Sequence, residues 1–470
     1  MTGEAEMSME RDSLTGSLPS ELMRFIQRDT YSLLIKGYAG TGKTTLALTI
    51  LRALGARENF FFISTRISPK ELFSYYPWLA SFTENEGDND GREALHDRAA
   101  MPSFEDARLD EPESLFERIT NQLMDIKSPI IIIDSWDAIA AFMDKEGRMN
   151  NERVLQTWRE RAGAKLIFIS EDPEDSTLDF LVGGVVELRQ RQYENARLRE
   201  ILLLKLRGVR IDRPSYVFTL EKSTFRSFEP FAPPALLGKS ATGRWSGKSS
   251  RTFSSNQIRT GYDALDSAIG GGFPRNGIVL MEHDERLNTS SAISILSVLV
   301  SNLVRQGNPV IIQTFGKLEP GEIMQILRPA LPPGKEDLAK ILWSRKYPSL
   351  PDNVVLHPHR QVSSAVVASL RKRYPGALVL SVTVGDDSSE EISSVPKRRM
   401  EITPPSTSDL SIALVNSSRK QQIEHISAVA TVHLRLVLIN DTLFLKPVMP
   451  ASALYAIGFA ADVPYLEALV

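Results

Sequence analysis

The sequence of 470 residues contains no cysteine. This absence excludes disulfide bonds, thiolate zinc sites and cysteine nucleophiles, and it is typical of a cytosolic protein. The chain also has little net charge, because 55 basic residues nearly balance 58 acidic ones. Overall electrostatics therefore favour no particular partner. Histidine is scarce, with six residues, and no sequence context indicates a Ser/His/Asp nucleophile.

Long hydrophobic runs are missing as well. No stretch of 18 apolar residues occurs, and residues 1–13 are polar and acidic, without the apolar core of a signal peptide. The apolar run 451–461 is too short to span a membrane and is expected to be a buried C-terminal element. These features predict a cytoplasmic protein without a membrane-spanning segment.

The segments that are present alternate between strand-like and helical patterns. Hydrophobic residues make up 42% of the chain and charged residues 24%, which is ordinary for a globular protein of about two to four domains. Alternation of strands and helices indicates the α/β class, with a mostly parallel twisted sheet flanked by helices. We predict four parts: a polar lead-in at 1–30, a first α/β domain at 31–221, a flexible linker at 222–256 and a second α/β domain at 257–470.

Short apolar or alternating segments mark the predicted strands. In the first domain they cover residues 31–35, 59–64, 129–134, 165–170, 184–188, 199–206 and 216–220. In the second domain they cover residues 277–281, 309–314, 353–356, 377–384, 410–415, 430–439 and 442–447. Asn440 and Asp441 are predicted to form the hairpin turn between the last two strands. Helices are predicted at 21–28, 44–54, 69–75, 112–126 and 150–162. The acidic tract 84–113 is predicted to be a solvated insertion.

The most specific motif is GYAGTGKT at residues 37–44, a full match to G-x-x-x-x-G-K-[ST]. A strand-like segment precedes it and a helical segment follows, so main-chain N–H groups and a helix N-terminus would face a polyphosphate. Glycines allow the main chain to curl around such an anion. The sequence therefore predicts a nucleotide site. Its members are Gly37, Tyr38, Ala39, Gly40, Thr41, Gly42, Lys43, Thr44 and Thr45.

Two residues of this loop and one distant acid have predicted chemical roles. Lys43 would reach the β- and γ-phosphates, and the Thr44 hydroxyl would bind Mg²⁺. Four isoleucines at 130–133 indicate a buried parallel strand, and Asp134 ends it where ligands of α/β sheets bind. Asp134 is therefore predicted to hold Mg²⁺, although an aspartate that starts an ordinary turn is the alternative. Without an N-K-x-D guanine signature, the predicted ligand is ATP with Mg²⁺.

A pair of cations lies on the late strand of the first domain. Strand alternation puts Lys205 and Arg207 on the same face. One interpretation is a charged edge strand that resists aggregation. The other is a catalytic role, in which the pair contacts a nucleotide held by a neighbouring subunit and stabilises charge on the transferring phosphoryl group.

The second domain contains a weak repeat of the first. Residues 31–50 align without gaps to residues 277–296, and the strand and helix patterns are retained. The phosphate loop is degenerate, and Asp284 would repel a phosphate there. We therefore expect a second domain that has kept the fold and lost the site. Positions 37, 40, 42 and 43 correspond to His283, Arg286, Asn288 and Thr289.

The phosphate loop, the strand IIIID at 130–134 and the pattern L-x-K-x-R-G at 203–208 together resemble the RecA-like ATPases of the KaiC/RadA group. Within this group, FISTRISP at 62–69 is similar to the archaeal gas-vesicle regulators of the GvpD family. The start of the second domain, at 260–274, is similar to that of a KaiC-type domain. This resemblance implies two RecA-like domains, ATP as ligand, and homo-oligomers with nucleotide at subunit interfaces, where the K-x-R pair reaches the neighbour's ATP.

The sequence departs from the KaiC-type pattern after the second strand. KaiC-type ATPases have two glutamates there, one of which polarises the attacking water, whereas this sequence has Thr65 and Arg66. Glu71 and Asp137 are the candidate replacements. The departure predicts weak or absent hydrolysis, with Arg66 stabilising bound ATP in a signalling state.

Two functions are consistent with these patterns. The first is a nucleotide-gated regulator whose second domain binds a regulatory protein partner. The alternative is a DNA-stimulated RecA/RadA-like ATPase, which would require the basic segments 189–213, 371–373 and 397–399 to converge on one face. No nucleic-acid-binding motif is present in the sequence, so nucleic acid contact is not favoured.

Overall fold

The chain divides into two compact units between Glu229 and Pro230. In the computed structural model, the described part of the first unit covers residues 18–55, 59–80, 103–108, 111–123, 126–143, 154–155, 157, 159–160, 162–174 and 178–229. The described part of the second unit covers residues 230–232, 256–314, 320–328, 331, 339–343, 354–356, 364–385, 408–460 and 463–469.

The described residues of the first unit form a sheet flanked by helices. Its strands are β1 (Tyr31–Lys36), β2 (Phe60–Ser64), β3 (Ser103–Asp106), β4 (Ile130–Asp134), β5 (Lys165–Ser170), β6 (Gly184–Tyr193), β7 (Ala196–Leu206), β8 (Ser215–Thr219) and β9 (Arg226–Ser227). Its α-helices are α1 (Ser20–Ile26), α2 (Lys43–Ala53), α3 (Pro69–Tyr75), α4 (Pro112–Leu123) and α5 (Trp136–Ala140).

The strand order in this sheet is β3-β2-β4-β5-β1-β6-β7-β8-β9. The first six strands in this order, β3-β2-β4-β5-β1-β6, are parallel to one another. The last four, β6-β7-β8-β9, pair in antiparallel fashion. In the parallel part, Ser64 pairs with Asp134, Asp134 with Ile169, and Lys36 with Ser170. The carboxyl ends of β2, β4, β5 and β1 therefore meet at one edge of the sheet.

Burial on both faces explains the isoleucine run of β4. Ile130 and Ile132 belong to the hydrophobic core on the face of α2, whereas Ile131 and Ile133 belong to the core on the opposite face. Successive side chains of a strand point to opposite faces, so a strand covered on both sides needs apolar residues at every position. This packing confirms the predicted buried parallel strand.

The strand β3 corrects one prediction, because it lies within the acidic tract 84–113 that was expected to be a solvated insertion. It pairs in parallel with β2. The Phe104 ring makes edge or tilted contacts with Phe60, Phe62 and Phe73, which anchors the segment despite its acidic neighbours. Residues 81–102 and most of the helix predicted at 150–162 lie outside the described residues.

The described residues of the second unit form a similar sheet. Its strands are β12 (Gly277–His283), β13 (Val310–Thr314), β14 (Ala339–Trp343), β15 (Val354–Leu356), β16 (Leu380–Val384), β17 (Leu410–Asn416), β18 (Val432–Ile439), β19 (Thr442–Met449), β20 (Tyr455–Ala460) and β21 (Val463–Ala468). A small antiparallel pair precedes it, β10 (Gln257–Ile258) with β11 (Phe273–Pro274). The helices are α6 (Asp263–Ala268), α7 (Thr289–Arg305), α8 (Pro320–Leu327), α9 (Ser364–Arg373) and α10 (Lys420–Ser427).

The order of this second sheet is β15-β14-β13-β16-β17-β12-β18-β19-β20-β21. When the strands of this sheet are numbered along the chain without the extra strand β15, their order in the sheet is the same as in the first unit. The fold class is thus confirmed: each unit has a mostly parallel sheet flanked by helices. Strand β14 was not predicted, and the apolar run at 451–461 contributes β20, which pairs with β21.

The hairpin between β18 and β19 turns at Asn440 and Asp441, as predicted. Both residues have positive φ angles, 47° and 55°, which are the values that a two-residue type I′ turn requires. Ile439 pairs with Thr442 across the turn. Among the described residues, no helix is both long and apolar enough to cross a membrane.

Candidate nucleotide-binding site

The glycine loop connects the end of β1 to the start of α2. Gly37, Gly40 and Gly42 have φ angles of 153°, 77° and 102°, which favour glycine over residues with a Cβ atom. A Cβ atom on Gly37 would overlap the carbonyl oxygen of Leu188, and one on Gly42 would lie 2.7 Å from the Leu220 side chain. The backbone path of the loop therefore requires glycine at these positions.

Lys43 is the first residue of α2 and is buried under the loop. Its Nζ donates to the carbonyl oxygen of Tyr38 at 2.9 Å, and Thr41 Oγ1 donates to the same oxygen at 2.8 Å. Burial lowers the pKa of Lys43, and the negative charges of Glu171 and Asp134 oppose this effect. The ammonium group therefore lies at the loop, close to two carboxylates.

The loop tip and the first turn of α2 complete the predicted phosphate-binding set. Tyr38, Ala39 and Gly40 are exposed at the tip. Thr45 is buried, and its hydroxyl is 2.8 Å from the hydroxyl of Tyr76. Its side chain is thus engaged within the protein, so Thr45 would offer a phosphate its main-chain N–H, as the first turn of a helix does.

Thr44 and Asp134 lie together at the carboxyl edge of the sheet. Thr44 Oγ1 donates to Asp134 Oδ2 at 2.6 Å, although the two residues are far apart in sequence. Burial raises the pKa of Asp134, whereas the Thr44 hydrogen bond and the Lys43 charge lower it. A hydroxyl and a carboxylate are oxygen donors of the kind that Mg²⁺ prefers, and this ion needs few protein ligands when phosphates supply others. The two residues therefore fit the predicted magnesium site.

Lys205 and Arg207 do not join this group. Lys205 Nζ donates to the carbonyl oxygens of Asp179 at 2.6 Å and Val182 at 2.8 Å, and Arg207 Nη2 donates to Phe180 at 3.4 Å. Both cations thus contact the same segment of their own chain. They lie beside the start of β6, toward the amino ends of the strands, whereas the phosphate loop follows a carboxyl end. Their contact with a nucleotide in another subunit stays a prediction.

Thr65 and Arg66 follow β2, and neither supplies a carboxylate. Thr65 N–H donates to the carbonyl oxygen of Asp134 at 2.7 Å, and Thr65 Oγ1 accepts from Ser135 N–H at 2.9 Å. Thr65 therefore ties the end of β2 to the end of β4. Arg66 Nη2 lies 2.6 Å from Oε2 of Glu171 in an ion pair.

Glu171, directly after β5, is a site residue that the sequence interpretation missed. Among the neighbouring charged groups, its charge acts most strongly on Lys43. The sequence signal that could have identified it is the one used for Asp134, an acid immediately after a buried strand. This signal alone is weak for Glu171, because no motif sets its distance in sequence from the phosphate loop.

The two acids expected to replace the missing glutamates have structural contacts. Glu71 Oε2 accepts from the N–H of Ser68 at 3.0 Å in the capping box of α3. Asp137 accepts from Ser170 Oγ at 3.0 Å and from the N–H of Glu171 at 2.5 Å. Glu71 thus caps a helix, and Asp137 orients the end of β5.

The corresponding loop of the second unit contains its own anion. The Asp284 carboxylate accepts from the N–H groups of Arg286 at 2.9 Å and Leu438 at 3.4 Å, and it pairs with the Arg286 side chain. Val384 pairs with Thr314 at the end of β16, the sheet position that Asp134 has in the first unit. The loop and metal positions of this unit therefore lack phosphate-binding chemistry.

The first unit has the features of a P-loop nucleotide-binding domain. A glycine loop connects a strand to a helix, and a buried lysine, a threonine and an aspartate lie at the carboxyl ends of a parallel sheet. Comparison with known proteins agrees with this class. Residues 22–205 match the family model described as GvpD gas vesicle protein, P-loop domain.

Individual relatives extend the likeness beyond this domain. The chain is 28% identical over 302 residues to protein GvpD2 and 26% identical over 282 residues to protein GvpD1, both of Halobacterium salinarum. These alignments cover 61% and 56% of this chain, and 58% and 50% of the relatives. The circadian clock oscillator protein KaiC of Parathermosynechococcus lividus is 25% identical over 262 residues, covering 53% of this chain and 45% of that protein. The predicted resemblance to GvpD and KaiC proteins is confirmed, and the chain spans about half the length of these relatives.

Proposed function

We propose that the protein is a nucleotide-gated regulator. Its first domain binds ATP with Mg²⁺ at the phosphate loop, and its second domain presents a surface to a regulatory protein partner. One observation carries this proposal: two sheets of matching strand order, of which the first has phosphate-binding geometry and the second has Asp284 and Val384 in its place. A fold retained without its ligand site is consistent with a role in interaction.

Weak or absent ATP hydrolysis is part of this proposal. Thr65 bonds to the end of β4 and Arg66 to Glu171, so neither position after β2 supplies a carboxylate to polarise water. A guanidinium near the γ-phosphate would favour a stable ATP complex. The nucleotide would then act as a signal rather than as a fuel.

Assembly into a homo-oligomer in the cytoplasm completes the proposal. Arg207 is exposed and Lys205 lies on the same face, which supports a role for this face at a subunit boundary. ATP bound at such a boundary would link nucleotide state to oligomer size.

The alternative, a DNA-stimulated ATPase, receives less support from the basic segment at 189–213. Several of its arginines are paired with acids: Arg189 with Glu187 at 2.5 Å, Arg191 with Glu200 at 2.8 Å and Arg210 with Asp212 at 2.8 Å. These pairs reduce the positive charge that a phosphate backbone would meet.

Nucleotide titration with size-exclusion chromatography tests the regulator. We expect wild-type protein to bind ATP with Mg²⁺ and to change its elution volume with ATP but not with ADP. Lys43→Ala should weaken ATP binding by roughly 10- to 100-fold, because it removes charge-assisted hydrogen bonds to the phosphates. Lys165→Ala, at the start of β5 and thus at the opposite end of the strands, is the matched control and should bind normally.

Phosphate release separates the two functions. The regulator should release little phosphate, and single-stranded DNA should not increase it. DNA stimulation several-fold above the Lys43→Ala blank would contradict the regulator and support the motor.

A further inference from the structure

An ion pair bridges two strand ends on either side of the candidate metal residue. Arg66 follows β2 and Glu171 follows β5, while β4, which ends at Asp134, lies between these strands. Neighbouring strands are about 4.8 Å apart, so the pair reaches across roughly 10 Å of the sheet edge. It therefore spans the place where Lys43, Thr44 and Asp134 would hold the terminal phosphates of a bound nucleotide.

The two partners differ in how firmly they are held. The N–H of Glu171 donates to Asp137 Oδ2 at 2.5 Å, and Asp137 is also bonded to Ser170 on β5. Arg66 is 51% exposed in its side chain, against 27% for Glu171. The main chain of Glu171 is thus held in place and its side chain is the less exposed of the two, so Arg66 is the partner that can exchange one anion for another.

Two cations and three anions lie at this edge when no ligand is counted. Lys43 and Arg66 are the cations, and Asp134, Asp137 and Glu171 are the anions. A γ-phosphate next to Lys43 would add negative charge beside Arg66, and a guanidinium binds phosphate as well as it binds carboxylate. ADP lacks the γ-phosphate, so with ADP no phosphate competes with Glu171 for Arg66.

We propose that Arg66 and Glu171 form a latch that distinguishes ATP from ADP. With ADP the ion pair stays closed across β4; with ATP, Arg66 turns to the γ-phosphate and releases Glu171. Arg66 is then a specificity-determining residue, and Glu171 is a positioning residue that acts through Arg66. This proposal rests on ATP binding at the phosphate loop, and it names the switch by which the site would be regulated.

Binding of ATP and ADP to full-length variants, measured by calorimetry with Mg²⁺, tests the latch. Glu171→Gln keeps the size of the side chain and frees Arg66, so the ratio of ATP affinity to ADP affinity should rise about tenfold, or ~1.4 kcal/mol. Arg66→Gln should lower the ratio by a similar factor. The double variant should have the ratio of Arg66→Gln alone, because Glu171 acts through the arginine.

Arg108→Gln is the matched control. Arg108 forms a comparable exposed ion pair with Asp106 at 2.7 Å, but next to the edge strand β3, farther from the phosphate loop. The ratio of ATP affinity to ADP affinity should be the same for Arg108→Gln as for wild type. Thermal unfolding of each variant, with a melting temperature near that of wild type, checks that the fold is retained.

The latch is refuted if both single variants keep the wild-type ratio while binding ATP. It is also refuted if Glu171→Gln changes the ratio equally with and without Arg66. Wild-type protein that binds no adenine nucleotide would instead overturn the proposed function, and the latch with it.

Discussion

Asp134 experiences opposing electrostatic effects. Burial raises the pKa of its carboxyl, while the Thr44 hydroxyl and the Lys43 ammonium favour the charged form. The net direction is upward, so the ionised carboxylate is less stable in the folded protein than in the unfolded chain. A buried acid that is costly when charged and lies beside a phosphate loop is suited to binding a cation.

Asp134→Asn should therefore have two effects. Without nucleotide it should raise the melting temperature at pH 7, and this gain should shrink as the pH falls through the raised pKa, where wild-type Asp134 becomes protonated. It should also abolish the dependence of ATP affinity on Mg²⁺. Calorimetric melting at several pH values and titrations with and without Mg²⁺ measure both effects.

Asp106→Asn is the control, because the pKa of Asp106 is shifted in the direction opposite to that of Asp134. The hydrogen bond from Arg108 lowers the pKa of Asp106, so removing that charge should not raise the melting temperature at pH 7. A lower melting temperature for Asp134→Asn, or unchanged Mg²⁺ dependence, would contradict the assigned role.

The loop between β12 and α7 contains an anion of its own, the Asp284 carboxylate, in the place where a phosphate loop would bind a phosphate. The Arg286 hydrogen bonds lower the pKa of Asp284, so the charged form is favoured in the folded state. Asn288 caps α7 by accepting from the N–H of Ser291 at 2.8 Å. The element is therefore stable without a ligand.

Asp284→Asn should destabilise the second unit by about 1–2 kcal/mol, because charge-assisted hydrogen bonds to a partly buried carboxylate are lost. Urea denaturation monitors this change. Glu285→Gln, at the exposed neighbouring position, should leave stability unchanged. Equal stability of the two variants would show that the carboxylate does not hold the loop.

At the level of the whole chain, one unit has retained phosphate-binding residues and the other has replaced them. Lys43 and Asp134 correspond to Thr289 and Val384 in the repeated strand order. Each unit has helices that pack on both faces of its sheet. The loss of the second site therefore left the core of that unit intact.

Calorimetric titration should give one ATP per chain, and Lys43→Ala should weaken binding at that single site without revealing a second site of unchanged affinity. The reason is that the second unit lacks both the lysine and the metal-binding acid. A stoichiometry of two, or residual binding of half the sites in Lys43→Ala, would show that the second unit captures nucleotide.

Local patterns were sufficient for the phosphate loop, the isoleucine strand and the Asn440–Asp441 turn. Each has a signal contained in a few consecutive residues: glycines with a free backbone, four apolar residues in a row, and two turn residues that tolerate positive φ angles. The order of the fourteen predicted strands along the chain also followed from such patterns. This local information predicted the α/β class, the nucleotide site and the degenerate second loop.

The remaining features depend on contacts between distant segments. Phe104 brings an acidic segment into the sheet as β3, the register of β2, β4 and β5 brings Arg66 to Glu171, and Lys205 bonds to the 179–182 segment. No periodicity or spacing encodes these contacts, because they arise from strand order and register. Those two properties are set when the whole sheet packs against its helices, and the sequence pattern of any single segment contains neither.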